Sequence, residues 1–223
     1  MARVSFAWSG PCVCLDVDAN LDRRQKMVDE QIRARGVRDP RVLLAMARVP
    51  REAFVPAADQ ARAFDDHPLP LAGGQTISQP YIVAYMTELL ELEAGHRVLE
   101  IGTGSAYQTA VLAELGAEVW SMEVVPALAA SAAGTIARLG YTQVRLRTGS
   151  GWDGWPDAAP FDRIVVTAAP PGVPEALKEQ LAPGGVLVVP VGSGDQRMTK
   201  IRRTRGGFTE EALIPVRFVP MVR

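Results

Sequence analysis

Apolar positions along the chain follow two patterns, and the change falls near residue 97. Before it, apolar residues recur at helical spacing. The stretch from Leu21 to Ala34 predicts a first helix, and a second begins at Asp39-Pro40, where the aspartate can cap and the proline suits the first helical position. Val42, Met46 and Val49 fall on one face of that second helix. Pro50 and Pro56 stop helical propagation. With Pro68, Pro70, Gly73 and Gly74, they predict irregular chain from Pro56 to Thr76, lying over the main domain. Segments of that kind often carry function. Ile82, Met86, Leu89 and Leu90 then form the apolar face of another helix, with Ser78 near its N-cap and Pro80 in its first turn.

From Arg97 onward, short apolar runs alternate with helical stretches, the pattern of a parallel sheet wound with helices. Strands are predicted at Arg97 to Ile101, Glu118 to Glu123, Gln143 to Arg147, Arg163 to Thr167 and Val186 to Val191. Helices are predicted from Ala106 to Leu115, from Leu128 to Leu139, and near Pro174 to Leu181. Gly116 and Gly140 end the first two. Two closing strands fall near Lys200 to Arg205 and Leu213 to Val219. The fold class is therefore α/β, with a doubly wound, mostly parallel sheet, an N-terminal helical segment and closing C-terminal strands.

Composition narrows the picture. Hydrophobic residues make up 48% of the 223 and charged residues 22%, which suits a packed globular domain. A formal net charge of -1 supplies no broad positive field, so general nucleic-acid binding is disfavoured, and Arg202, Arg203 and Arg205 fit a solvated hairpin better than a phosphate patch. Cys12 and Cys14 have no second pair with which to build a metal site or a disulfide framework, so no metal is expected. Residues 1 to 20 read as a loosely ordered extension. Ser5, Ser9, Gly10 and Pro11 break its apolar run, so neither a signal peptide nor a membrane span is predicted and a cytoplasmic location is expected.

The run Glu100-Ile101-Gly102-Thr103-Gly104-Ser105-Ala106 places two glycines where a buried strand turns sharply into a helix, so that backbone can approach a ligand closely. A dinucleotide fingerprint would want a third glycine at 107, where Tyr107 stands. Glu123, at the end of the next strand, is placed to accept hydrogen bonds from the two hydroxyls of a ribose, with Val124 beside it. Alone, the glycines could be a structural turn and Glu123 a solvated carboxylate. Together with Glu100 they resemble the cofactor site of class I S-adenosylmethionine methyltransferases.

More specific motifs lie on either side. Gly74-Gln75-Thr76-Ile77-Ser78-Gln79-Pro80-Tyr81 precedes the glycine turn. Pro160-Phe161-Asp162, then Val166-Thr167-Ala168-Ala169-Pro170-Pro171, and finally Val216-Arg217-Phe218-Val219-Pro220 follow it. These motifs resemble the protein-L-isoaspartate O-methyltransferase family, and the likeness runs from Met27 to the C-terminus. It implies methyl transfer from S-adenosylmethionine to the free α-carboxylate of L-isoaspartyl residues in damaged proteins and peptides. It also implies that Ser78 is the active-site serine, that Thr76, Ile77 and Ser78 adjoin the cofactor, and that Gln75, Tyr81, Val219 and Pro220 border the peptide. Ser78 as a helix cap and Tyr81 as a core aromatic are the structural alternatives.

Two positions depart from the family. Ala106 stands where the glycine turn usually has a third glycine, and Gly149-Ser150-Gly151 replaces Gly-Asp-Gly, whose aspartate would accept a bond from the adenine amino group. Weaker cofactor binding is expected from either change. They keep two other readings open: a carboxylate methyltransferase with a dedicated peptide or small-molecule acceptor, and a cofactor-binding relative with weakened turnover. A nicotinamide dehydrogenase ranks behind both, because of Tyr107. One methyltransferase domain is expected over residues 21 to 223, comprising an active-site segment (21 to 92), a cofactor core (97 to 191) and closing strands (192 to 223). A monomer is expected.

Overall fold

The computed structural model describes residues 18–223; the N-terminal extension through residue 17, with Cys12 and Cys14, lies outside the described residues. Helix α1 (Asp18–Met27) runs on into a π-turn (Val28–Ile32) and a 3-10 turn (Arg33–Arg35), then stops at Gly36 with φ of 105°. The helix predicted from Leu21 to Ala34 thus starts three residues earlier and widens in its second half, where Val28 and Ile32 are both buried. Helix α2 (Pro40–Arg48) opens as its sequence requires: the Asp39 carboxylate accepts from the Arg41 backbone N–H and Pro40 occupies the first turn.

Between Pro56 and Thr76 the chain is irregular apart from two 3-10 turns (Ala57–Arg62 and Ala72–Gly74) and one edge of a two-residue ladder. In that ladder β1 (Leu69–Pro70) pairs antiparallel with β2 (Thr76–Ile77). Helix α3 (Pro80–Leu89) follows, and buries Tyr81, Val83, Ala84, Met86 and Thr87.

The main sheet is built in chain order from β3 (Arg97–Ile101), α4 (Tyr107–Glu114), β4 (Glu118–Glu123), α5 (Pro126–Arg138), β5 (Val144–Thr148), β6 (Phe161–Val166), α6 (Glu175–Glu179), β7 (Leu181–Val191), β8 (Gln196–Thr204) and β9 (Gly207–Val216). Its strand order is β5-β4-β3-β6-β7-β8-β9. The five strands from β5 to β7 pair in parallel, while β8 and β9 close the sheet as an antiparallel meander. Alternate side chains serve opposite faces. Leu99, Ile101, Ile164 and Leu187 pack with Trp120 and Phe161 on one side, whereas Val98, Val119, Val165 and Val188 pack with Met86, Leu90 and Leu112 on the other.

Most later boundaries shift by a few residues from the sequence prediction, and two of the shifts have identifiable reasons. The helix expected to reach Leu181 ends at Glu179, because the Phe161 N–H donates to the Gln180 carbonyl at 2.8 Å and draws Leu181 into the sheet opposite Phe161. The last strand ends at Val216 rather than Val219. Both polar groups of the Gln196 side chain bond the Phe218 backbone (2.6 and 3.0 Å), and the chain then turns toward Ala169. At the β8–β9 hairpin, Arg205 lies in the exposed turn, whereas Arg202 pairs with Glu91 and Arg203 donates to the Glu179 and Leu181 carbonyls, so those two side chains are tied down. No helix among the described residues is long and apolar enough to cross a membrane.

Candidate active site

The sheet reverses direction of travel between β3 and β6, and a crevice outside the carboxyl ends of the strands is the expected consequence. An open cleft lies there, lined by the strand-end turns and by the C-terminal segment. Its floor is the glycine turn. Gly102 sits at φ of 95°, and a Cβ on it would stand 2.4 Å from Thr167 Oγ1, so no other residue fits. The Gly102 and Thr103 N–H groups both donate to the Met122 carbonyl (2.8 and 3.1 Å), and the Thr167 hydroxyl donates to the Gly102 carbonyl at 2.5 Å. The turn is therefore held from β4 and from the residue after β6. A Cβ on Gly151 would approach Ile101 Cγ2 to 2.2 Å, which fixes a second close approach on the opposite wall.

The two acidic residues singled out in the sequence take different places. Glu123 lines the cleft and is 6% exposed. One of its oxygens accepts from the Gly104 N–H at 2.8 Å and the other from the Val125 N–H at 2.9 Å, leaving each oxygen lone-pair capacity for a ligand hydroxyl. Glu100 does not reach the cleft surface. It is completely buried beneath the turn, where one oxygen accepts from the hydroxyls of Thr109 (2.5 Å) and Ser121 (2.6 Å). Ser121 in turn shares a 2.6 Å hydrogen bond with Thr103. Burial pushes the Glu100 carboxyl up to about 7, against the two hydroxyls that favour its ionised form, with the Glu123 charge adding to the rise.

Of the other positions assigned to the cofactor, Gly102, Gly104, Val124, Gly149, Gly151 and Thr76 line the cleft. Ser150 lies between two lining glycines, and its hydroxyl accepts from the Trp152 N–H at 3.4 Å. Ser105 accepts from the Tyr107 N–H at 3.2 Å, at the first residue of α4. Thr103, Ala106 and Ile77 are buried beneath the surface. Ala106 has φ of 68°, and its methyl group packs in the core beside Tyr107 and Ala110. The position that departs from the family thus holds a left-handed conformation with its methyl buried.

The acceptor side is assembled from two distant segments. Gln75 and Thr76 line one wall, and Val219 to Val222 line another. The C-terminal segment is fixed there by a parallel bridge in which Ala169 N–H donates to Val219 O (2.8 Å) and Met221 N–H to Ala169 O (2.9 Å). Ser78 follows β2 directly and is half-buried. The N-cap of α3 is Gln79 and no side chain caps it, so the hydroxyl of Ser78 is not spent on the helix. Tyr81 is mostly buried, stacks on Tyr85 with centroids 5.8 Å apart, and has the Arg35 guanidinium over its ring at 3.8 Å. It is not part of the cleft lining. Sequence reasoning passed over Thr167 and Ala168 as site residues, although their place just after β6 was a usable signal.

A glycine turn closing the first parallel strand, with an acid at the end of its neighbour, defines the class of α/β proteins that bind a nucleoside-bearing cofactor at the strand ends. The family model for protein-L-isoaspartate(D-aspartate) O-methyltransferase matches residues 22–223. A protein-L-isoaspartate O-methyltransferase of Gloeobacter violaceus is 57% identical over 88% of this chain and 97% of its own length. One from Anaeromyxobacter dehalogenans is 57% identical over 83% and 91%. A solved protein-L-isoaspartate O-methyltransferase superposes with a TM-score of 0.81 at 29% identity, covering 88% of this chain and 65% of that one. A Plasmodium falciparum structure holding S-adenosyl-L-homocysteine shares the fold, with a TM-score of 0.78 at 23% identity over 89% and 98% of the two chains. The chain belongs to the protein-L-isoaspartate O-methyltransferase family.

Proposed function

We propose that this protein methylates the free α-carboxylate of L-isoaspartyl residues in damaged proteins and peptides, as a cytoplasmic, monomeric repair enzyme acting through one domain from residue 21 to 223. The observation that carries this is the cleft itself. A backbone-lined floor at Gly102, Gly104 and Glu123 meets an acceptor wall made of Gln75, Thr76 and the C-terminal Val219-Pro220 segment.

S-adenosylmethionine supplies an activated methyl group on its sulfonium. Glu123 would hold the ribose hydroxyls, the close backbone approach that Gly102 and Gly104 allow would take the methionine end, and Gly149, Ser150 and Gly151 would take the adenine end. The acceptor carboxylate has an ordinary pKa near 4 and is ionised at neutral pH, so no side chain has to remove a proton. Ser78 orients that carboxylate in line with the methyl group, and alignment supplies most of the rate. Main-chain contacts from Val219 and Pro220, with Gln75 on the facing wall and Tyr81 packed behind it, hold an extended peptide without regard to its sequence.

The test is a methyl-transfer assay with an isoaspartyl peptide and its normal aspartyl twin. Transfer to the first and not the second is expected. Equal transfer to both, or transfer only to a small carboxylic acid, would replace this function with that of a carboxylate methyltransferase with another acceptor. Cofactor binding without any transfer would leave a binding protein.

A further inference from the structure

Arg51 is completely buried, yet among the described residues it forms no ion pair; its neighbour Glu52 pairs with Arg24 instead. Its guanidinium donates from Nε to the Ala63 carbonyl (2.7 Å) and from Nη2 to the Ser78 carbonyl (2.8 Å), while Nη1 is buried with no partner. It also lies over the Tyr107 ring, 4.7 Å from the centroid, and Phe54 from the same 3-10 turn meets that ring edge-on at 5.5 Å. A buried cation balanced by carbonyls alone is a costly way to fill space, and an apolar side chain of similar size would fill it with less penalty. What the guanidinium adds is direction. It fixes the carbonyl of Ser78 against Tyr107, the first residue of the helix that leaves the glycine turn.

On the basis of the methyl-transfer function proposed above, we infer that Arg51 is a positioning residue: it sets the register between the Ser78 segment, which orients the acceptor, and the glycine turn, which holds the methyl donor. Small errors in that register act on turnover rather than on cofactor affinity, because the cleft floor is held independently by Thr167, Met122 and Glu123. Lysine in its place keeps a cation but cannot direct two rigidly spaced donors at two carbonyls.

The experiment compares wild type, Arg51→Met and Arg51→Lys for kcat with the isoaspartyl peptide at saturating S-adenosylmethionine, for cofactor Kd by titration, and for folded fraction by circular dichroism. Arg51→Met is expected to lower kcat at least ~10-fold per folded molecule, with Kd changed less than about threefold, and Arg51→Lys to fall between. A folded Arg51→Met with wild-type kcat overturns the inference. So does a loss of activity that only tracks the loss of folded protein. If Arg51→Met does not fold, Arg51→Lys decides by the same criteria. A wild-type protein that methylates neither peptide would instead refute the activity on which the inference rests.

Discussion

Glu100 and Arg51 are both completely buried ionisable residues, one beneath the glycine turn and one beneath the serine segment, and the structure partners them in opposite ways, leaving Glu100 Oε1 and Arg51 Nη1 without a partner. Glu100 is surrounded by hydroxyls, and Thr109, Ser121 and Thr103 relay its position to the turn. Arg51 is surrounded by carbonyls and an aromatic face. A carboxyl can escape the cost of burial by taking up a proton, whereas a guanidinium remains charged at any pH a protein tolerates. The group beneath the glycine turn can therefore change its charge near neutrality, whereas the group beneath the serine segment keeps its charge. The difference also separates tasks: regular strand ends build the floor, and one side chain ties an irregular segment to it.

The largest effect expected from this contrast is on stability. The folded-state pKa of Glu100, about 7, lies above its ordinary value of 4.5. The native protein thus binds that proton more tightly than the unfolded chain does. The stability Glu100 contributes is whole below about pH 4.5 and is lost as pH rises through about 7, a change on the order of 3 kcal/mol. His96, lowered mainly by burial, works in the opposite direction, losing stability as pH falls. The measurement is therefore the difference between wild type and Glu100→Gln in urea unfolding, from about pH 4.5 to about pH 8. Wild type should lose ground to the variant as pH rises; parallel curves would mean that Glu100 has no such shift.

The next comparison sets affinity against turnover. Glu123→Gln should weaken S-adenosylmethionine binding by roughly 1 to 3 kcal/mol, because a charged acceptor becomes neutral and one of its two backbone N–H partners, on Gly104 or Val125, meets an amide donor. Ser78→Ala should do the reverse, lowering kcat by ~10-fold or more while Kd stays within about twofold. Its melting temperature should hardly change, since Ser78 caps no helix. Titration calorimetry and initial rates on the same two proteins decide it. An unchanged Kd for Glu123→Gln would place the ribose elsewhere, and a Ser78→Ala enzyme of full activity would remove the serine from the mechanism.

How much of this was legible in the sequence follows the same division. Strands β3 and β4 were predicted to the residue, because apolar runs bounded by Arg97 and by Glu118 and Glu123 leave little choice of register. The start of β7 was not, since Leu181-Ala182-Pro183-Gly184-Gly185 reads locally as a helix end and a turn. Only the parallel partner Phe161, across an irregular register, makes it strand. Glu123 was legible as a site residue because it ends a strand. Arg51 was invisible, since an arginine after a proline at the end of an amphipathic helix looks like surface, and its burial depends on Ala63, Ser78 and Tyr107 arriving from three other parts of the chain. Glu100 was recognised as special, but its role beneath the turn depends on Ser121 and Thr109, which no local pattern marks.

The smallest expected effects separate Ala106 from Ser150, which the sequence had grouped as two departures with one consequence. Ala106 holds a left-handed conformation, φ 68° and ψ 14°, that costs a residue bearing a Cβ about 1–2 kcal/mol. Glycine would relieve that cost but would lose ~0.4–1 kcal/mol through the freer unfolded chain and about 0.8 kcal/mol of buried methyl. These terms nearly cancel. Because the methyl lies in the core rather than the cleft, Ala106→Gly should leave both stability and cofactor Kd almost unchanged. Ser150 is different: it lies between two cleft-lining glycines, and its hydroxyl accepts only a long 3.4 Å bond from Trp152. Ser150→Asp would keep that local acceptor and add a charge toward the adenine end, tightening S-adenosylmethionine binding by about 1 kcal/mol, or roughly fivefold. In the double variant the affinity should equal that of Ser150→Asp alone, since the two side chains share no partner. If Ala106→Gly is the change that tightens binding, the helix start at residue 106 reaches the cofactor after all, and the floor of the cleft extends further along α4 than its lining residues indicate.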